Sequence, residues 1–190
     1  MIFLIISDDE SKINRLNKGK TYIDDLDLRN INKKRVLFSS DVKKIINSDY
    51  IIICLPTPLT KKKYPDLSIV KRSIISMIPF LKVGQTIILE STTYPGTTKE
   101  LILPILKKTG FKIGTDIFLA FSPERINPGS KTPIENIPKV VGADDKKSLS
   151  SAKNIYKLIF KRIYTTNSSA VAEATKLTEN IFRSVNIALV

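Results

Sequence analysis

The chain reads as short apolar runs separated by segments of helical spacing. Ile2 to Ile6 is a continuous apolar run, the pattern of a strand buried on both faces of a parallel sheet. Asp9 to Leu16 then has helical spacing, with Ile13 and Leu16 as its apolar pair, and Gly19 stops it. Val36 to Phe38 predicts a short strand, Asp41 can cap the helix that follows, and Tyr50 to Leu55 predicts a second buried strand ending at Pro56. Ser68 is expected to cap a helix through Ile78 with Val70, Ile74, Ile75 and Ile78 turned inward. Thr86 to Leu89 is strand again, Gly96 to Lys108 helix closed by Gly110, and Ile117 to Phe121 strand. The remainder predicts a strand at Lys139 to Val141, a helix from Lys146 to about Phe160, a strand at Arg162 to Tyr164 and a last helix from Ser168 onward.

Strands alternating with helices at this spacing imply βαβ units and a mainly parallel sheet, an α/β Rossmann-like domain. The expected division is a domain over 1–166 and the beginning of a long helix over 167–190. A dinucleotide-binding fold of this type opens with a strand, a GxGxxG turn and a helix. No such turn occurs here, and only 7 of the 190 residues are glycine. The chain is therefore expected to lack the first βα unit and to start at the second strand.

With 42% hydrophobic residues the chain can bury a real core. Its formal charge of +13 invites a nucleic-acid reading, but the lysines are scattered at element ends and loops, as in Lys61 to Lys63 and Lys107-Lys108. An anionic nucleotide would use such a surface as well as RNA does. We expect neither a nucleic-acid nor a membrane partner, since no run approaches the roughly 18 apolar residues of a bilayer span. Cys54 is the single cysteine, so no internal disulfide forms, and a reducing cytoplasm is the natural compartment. The absence of histidine removes the commonest metal ligand and general base together, and no metal site is expected.

Three stiff polar loops follow predicted strands. In the stretch FSPERINPG, Pro123 and Pro128 fix the backbone around Glu124 at the end of a strand, where open α/β sheets bind ligands. The plainer reading is a surface loop with Glu124 paired to Arg125 or Lys131. Cys54 to Leu59, with Pro56 and Pro58, forms a rigid rim that leaves the Thr57 hydroxyl free for a phosphate or ribose, or else is only a strand terminator. Glu90-Ser91-Thr92 followed by Tyr94-Pro95-Gly96-Thr97-Thr98 is a second such rim opening a helix. On the last helix, Glu173, Lys176, Asn180 and Arg183 are spaced three, four and three, one polar stripe beside an apolar face of Val171, Ala174, Ile181, Val185 and Ala188. A solvated face carrying a Glu-Lys pair explains that stripe equally well.

Pro56-Thr57-Pro58, Glu90-Ser91-Thr92 with Pro95-Gly96-Thr97, Ser122-Pro123-Glu124-Arg125 with Pro128-Gly129, and EATKLTEN from Glu173 to Asn180 occur in the order found in the nucleotide-sugar 6-dehydrogenases, which the whole chain resembles. The early YIDDLD and the final FRSVNIALV look most like the branch acting on UDP-N-acetylhexosamines. The resemblance implies NAD as cofactor, a UDP-sugar as substrate, oxidation of its C6 alcohol to the acid through a cysteine thioester, and a homo-oligomer built on the last helix. It implies Glu124 as the base that activates the hydrolytic water or orders it with Thr92, Lys176 as the oxyanion stabiliser, and Asn180 as a holder of substrate oxygen or that water. Pro56, Thr57, Ser91 and Thr92 would line the cofactor, and Arg125 and Arg183 the substrate or a partner subunit. Ser7 falls where the ribose-binding aspartate usually stands, with Asp8 one position away. The nucleophilic role is not carried onto Cys54, which is expected at a buried strand end. The chain is accordingly expected to be a truncated, inactive piece of such an enzyme with an uncovered apolar helix face; the alternative is a non-catalytic module that pairs with an intact paralogue through that helix.

Overall fold

The computed structural model describes residues 2–21, 34–126 and 132–190; the sequence features at 22–27 and 127–131 lie outside them. The chain divides into two compact units, Met1–Ser48 and Asp49–Val190.

In the first unit, β1 (Phe3–Ile6) and β2 (Val36–Ser39) pair in parallel. Helix α1 (Glu10–Asn17) is capped by the Asp9 carboxylate, which accepts from the Lys12 N–H, and Gly19 ends it at positive φ. Ile13 and Leu16 are its buried residues, as their spacing requires. The expectation that β1 is buried on both faces fails, because Phe3 and Ile5 alternate outward and are exposed. Among the described residues of this unit, α1 covers one face of the β1–β2 pair only. Asp41 caps a 3-10 turn, Val42–Asn47, instead of an α-helix.

The second unit holds a five-stranded sheet in the order β3 (Tyr50–Ile53), β4 (Thr86–Leu89), β5 (Phe118–Phe121), β6 (Lys139–Gly142), β7 (Ile163–Thr166). All neighbours are parallel except β5 and β6. The central strands β4 and β6 are buried throughout, whereas Ile52 of the outer strand β3 is exposed. Helix α2 (Ser68–Met77) is begun by Asp66, whose carboxylate accepts the Ser68 N–H, and not by the Ser68 side chain. It buries Val70, Ile74 and Met77, so Ile75, expected inward, is exposed. The segment expected as one helix from Gly96 is a π-helical turn, Thr98–Ile102, running into α3 (Leu103–Lys107). Pro104 lacks the N–H that would bond the Glu100 carbonyl, so the regular ladder cannot form there. Helix α4 (Lys146–Tyr156) starts on its Asp145 cap and packs Ala152, Ile155 and Tyr156 against Ile88, Ala120 and Val141.

Helix α5 (Ser169–Leu189), capped by Ser168, is seated on β6 only because Gly142 has no side chain. A Cβ there would collide with the Ser168 carbonyl, the Thr166 hydroxyl and the Ala172 methyl. Gly142→Ala is expected to cost about 2–3 kcal/mol, read as a lowered urea midpoint; an unchanged midpoint would mean that α5 does not lie against β6 at this point. None of the described helices is long and apolar enough to cross a membrane.

Candidate active site

Parallel register aligns Ile53, Leu89 and Phe121, so the next residues, Cys54, Glu90 and Ser122, stand in a row at the carboxyl edge of the sheet. Because β6 runs antiparallel to β5, its first residue, Lys139, comes to this same edge. Ser122 fixes that crossing, its hydroxyl donating to the Val140 carbonyl at 2.7 Å. The result is a packed ionic cluster. Lys139 is buried, 2% exposed as a residue, and its ammonium lies 2.7 Å from Glu90 Oε1 and 3.3 Å from Glu124 Oε2. It also lies 4.9 Å from the Tyr156 ring centroid and 5.4 Å from that of Phe160, within cation–π range. Tyr156 donates to Glu90 Oε1 at 2.5 Å, and the Cys54 thiol donates to Glu90 Oε2 at 3.5 Å.

Glu124 is held at both oxygens. Its Oε1 accepts the backbone N–H groups of Arg125 and Ile126 at 2.6 and 2.8 Å, and its Oε2 faces Lys139. Burial first, and then the Glu90 charge, push the Tyr156 phenol above its ordinary 10, so it remains a proton donor. The same two causes push the Cys54 thiol up to about 12. The residue as a whole is exposed and not, as expected, on a buried strand end, although its thiol is turned onto Glu90; a thiol held protonated is a poor nucleophile.

The two rims are joined to each other. Thr57 Oγ1, expected to be free, donates to the Thr92 carbonyl at 2.7 Å. Ser91 is buried, accepts the Leu55 N–H at 2.8 Å and donates to the Ile53 carbonyl, so its hydroxyl ties β3 to β4. Pro56 and the Thr92 side chain are exposed on the rim. Thr93 Oγ1 is buried without a partner among the described residues.

The polar stripe expected on α5 is divided by depth. Glu173 is fully buried, because the first turns of α5 face the domain, and its carboxylate accepts from the Gly96 N–H, the Thr98 N–H and the Thr98 hydroxyl at 2.5, 2.8 and 2.6 Å. Burial raises its pKa above 4.5 despite those donors. Lys176 and Asn180 are half-buried and Arg183 is exposed. Lys176 and Arg183 line an open groove of about 650 Å³ with Arg125, Glu179 and Asn186; Glu124 and Asn180 are not in its lining. Arg125 joins that groove to the Glu124 loop through a two-pronged ion pair with Glu179, its Nε 3.0 Å from Oε2 and its second nitrogen on Oε1. Glu124 and Lys176 make no direct ion pair.

The donor set fits part of a dinucleotide. Threonine hydroxyls and an unpartnered buried Thr93 oxygen at a strand-end rim suit a ribose or an amide. A pyrophosphate finds no glycine turn, and the Asp9 carboxylate already occupies the N-terminus of α1. Asp8 stands exposed after β1 in the other unit.

Sequence reasoning missed Lys139, Tyr156 and Glu179, and read Glu90 only as part of a rim. The signal available for Lys139 was a lysine opening the otherwise apolar strand KVVG, since a buried charge requires a partner.

Residues 2–160 match the profile described as "UDP-glucose/GDP-mannose dehydrogenase family, NAD binding domain". Protein CapL of Staphylococcus aureus is 34% identical over 95% of the chain and 43% of its own length. UDP-N-acetyl-D-mannosamine dehydrogenase of Methanococcus maripaludis is 36% identical over 95% of the chain and 42% of its own length. Among solved structures, the UDP-D-ManNAc dehydrogenase of Pyrococcus horikoshii superposes with a TM-score of 0.90 at 32% identity, covering 98% of this chain and 46% of that one. The chain thus spans less than half the length of these relatives. The family match over most of the sequence, on a Rossmann-type α/β fold with its polar residues gathered at the strand ends, shows that this chain belongs to the UDP-glucose/GDP-mannose dehydrogenase family and carries its NAD-binding domain.

Proposed function

We propose that the 190 residues are the larger part of the NAD-binding domain, with the beginning of the central helix, of a dehydrogenase that oxidises the C6 alcohol of a UDP-N-acetylhexosamine to the acid. The single observation that supports this best is the placement of Glu124, a half-exposed carboxylate held by two backbone N–H groups and by a buried ammonium that also pairs with Glu90, the first residue of the Glu90-Ser91-Thr92 rim. A carboxylate fixed in this way suits a base that takes a proton from the water attacking a thioester. Lys176 would face the developing oxyanion and Asn180 the substrate oxygen or the same water. Arg125 and Arg183 would meet substrate or a partner subunit, and Pro56, Thr57, Ser91 and Thr92 would lie along NAD.

The 190 residues hold no GxGxxG turn and one cysteine whose thiol is pushed up to about 12, so by themselves they are not expected to turn over. NADH formation from the purified chain, NAD and a UDP-N-acetylhexosamine would contradict this. In an enzyme rebuilt with a glycine-turn segment upstream and a cysteine-bearing segment downstream, Glu124→Gln should slow thioester hydrolysis about a hundredfold more than the first oxidation. Equal loss in both steps would remove Glu124 as the base.

A second reading is favoured by α5, where Leu177, Ile181, Phe182, Val185 and Leu189 are all exposed. That uncovered face suits a non-catalytic module pairing with an intact paralogue, or a homo-oligomer. Size-exclusion of the chain with and without such a paralogue separates the two readings: co-elution supports the module, and independent elution removes it.

A further inference from the structure

The two carboxylates that face Lys139 are not equivalent. The Glu90 side chain is 11% exposed and receives two further donors, Tyr156 Oη and Cys54 Sγ. The Glu124 side chain is 43% exposed, and its other oxygen is taken by backbone N–H groups. A buried ammonium needs a permanent counter-ion, since an uncompensated charge in the interior is strongly destabilising. Glu90, the nearer and more deeply buried of the two, meets that need alone. Lys139 therefore stays paired to Glu90 whether or not Glu124 faces it.

We propose that Lys139 is a positioning residue for Glu124, and that Glu90, with Tyr156 and Cys54 donating to it, is the resident counter-ion of Lys139. This deepens, and rests on, the reading of Glu124 as a base. The two oxygens of Glu124 are addressed from different directions, by the loop's own N–H groups and by an ammonium anchored in the sheet. Without Lys139 the carboxylate keeps only its local contacts and can turn away from the rim.

The test uses the 190-residue chain, labelled for amide exchange by NMR. Lys139→Met alone strands Glu90, so the informative variant is Lys139→Met with Glu90→Gln, which leaves the buried site neutral. In it the Arg125 and Ile126 amides, which report the hold on Glu124, should lose about tenfold in protection while Ile88 and Leu119 in β4 and β5 stay within about twofold. Uniform loss across all four amides would reduce Lys139 to a purely structural role, and no loss at Arg125 and Ile126 would remove its hold on Glu124; either overturns the proposal. As a measure of the counter-ion, Glu90→Gln should raise the unfolding equilibrium constant more than about a hundredfold, and Glu124→Gln by less than about threefold. Comparable losses in those two variants would overturn the assignment of Glu90. None of these readouts involves turnover. A rebuilt enzyme in which Glu124→Gln leaves hydrolysis untouched would defeat the base reading and leave the Lys139 result standing.

Discussion

Glu173→Ala is expected to cost the domain about 3–4 kcal/mol, because it removes the shared acceptor of three buried donors. Gly96 cannot turn its N–H elsewhere, since the residue is fixed at positive φ by the turn that opens the Thr98–Ile102 segment. The loss would also free α5 from the rim that carries Thr92 and Thr93, so exchange should rise there before it rises in the sheet. Glu173→Gln keeps one acceptor oxygen for Thr98 but sets an amide donor against the Gly96 N–H, and should fall between the wild type and Ala. The pH dependence separates charge from packing. Burial puts the folded-state pKa of Glu173 above the ordinary 4.5, so the native state binds this proton more tightly than the unfolded chain does. The stability that follows is fully present below 4.5 and is lost as pH rises through the raised folded-state value. Urea midpoints of the wild type should therefore contain a component that declines over that window and is missing from Glu173→Gln. A Glu173→Ala chain within about 1 kcal/mol of the wild type would show that the carboxylate does not anchor α5 to the loop.

Strand positions were legible because a buried strand in a parallel sheet is a nearly uninterrupted apolar run, as TIIL and FLAF are. The same rule failed at Phe3 and Ile5, where the run was equally apolar but only one face of a two-stranded sheet is covered. Periodicity located α4 and α5 but misplaced the inward face of α2 by one residue, since Met77 and not Ile75 or Ile78 completes the stripe with Val70 and Ile74. The proline-bounded loops that carry Glu124 and the rim threonines were legible because loops after strands are local features. The Glu90–Lys139–Tyr156 cluster was not, since it is made by the reversal of β6 against β5, and strand direction is a long-range property that no local pattern encodes. Glu173 was misread for the complementary reason: helical spacing shows which residues share a stripe, and the depth to which each is buried depends on what that turn of helix is packed against.

Lys139→Met alone is expected to be among the most damaging single changes to the domain, at about 3–5 kcal/mol, although it puts an apolar residue of similar length into an apolar strand. Glu90 would be left with its charge in the interior, with only the Tyr156 hydroxyl and the Cys54 thiol donating to it. The Tyr156 and Phe160 rings would lose the cation they flank, a smaller loss of about 1 kcal/mol or less. Neutralising the stranded partner should reverse most of the damage: Lys139→Met with Glu90→Gln keeps an acceptor for Tyr156, carries no buried charge, and should recover at least half of what the single variant loses. That sign distinguishes a desolvated ion pair from a packing contact, in which the second substitution would add to the first. Equilibrium urea unfolding of the wild type, both single variants and the double variant completes the cycle. Additive losses would mean that Lys139 and Glu90 are not each other's counter-charge, and the arrangement at the carboxyl edge of the sheet would then need another origin.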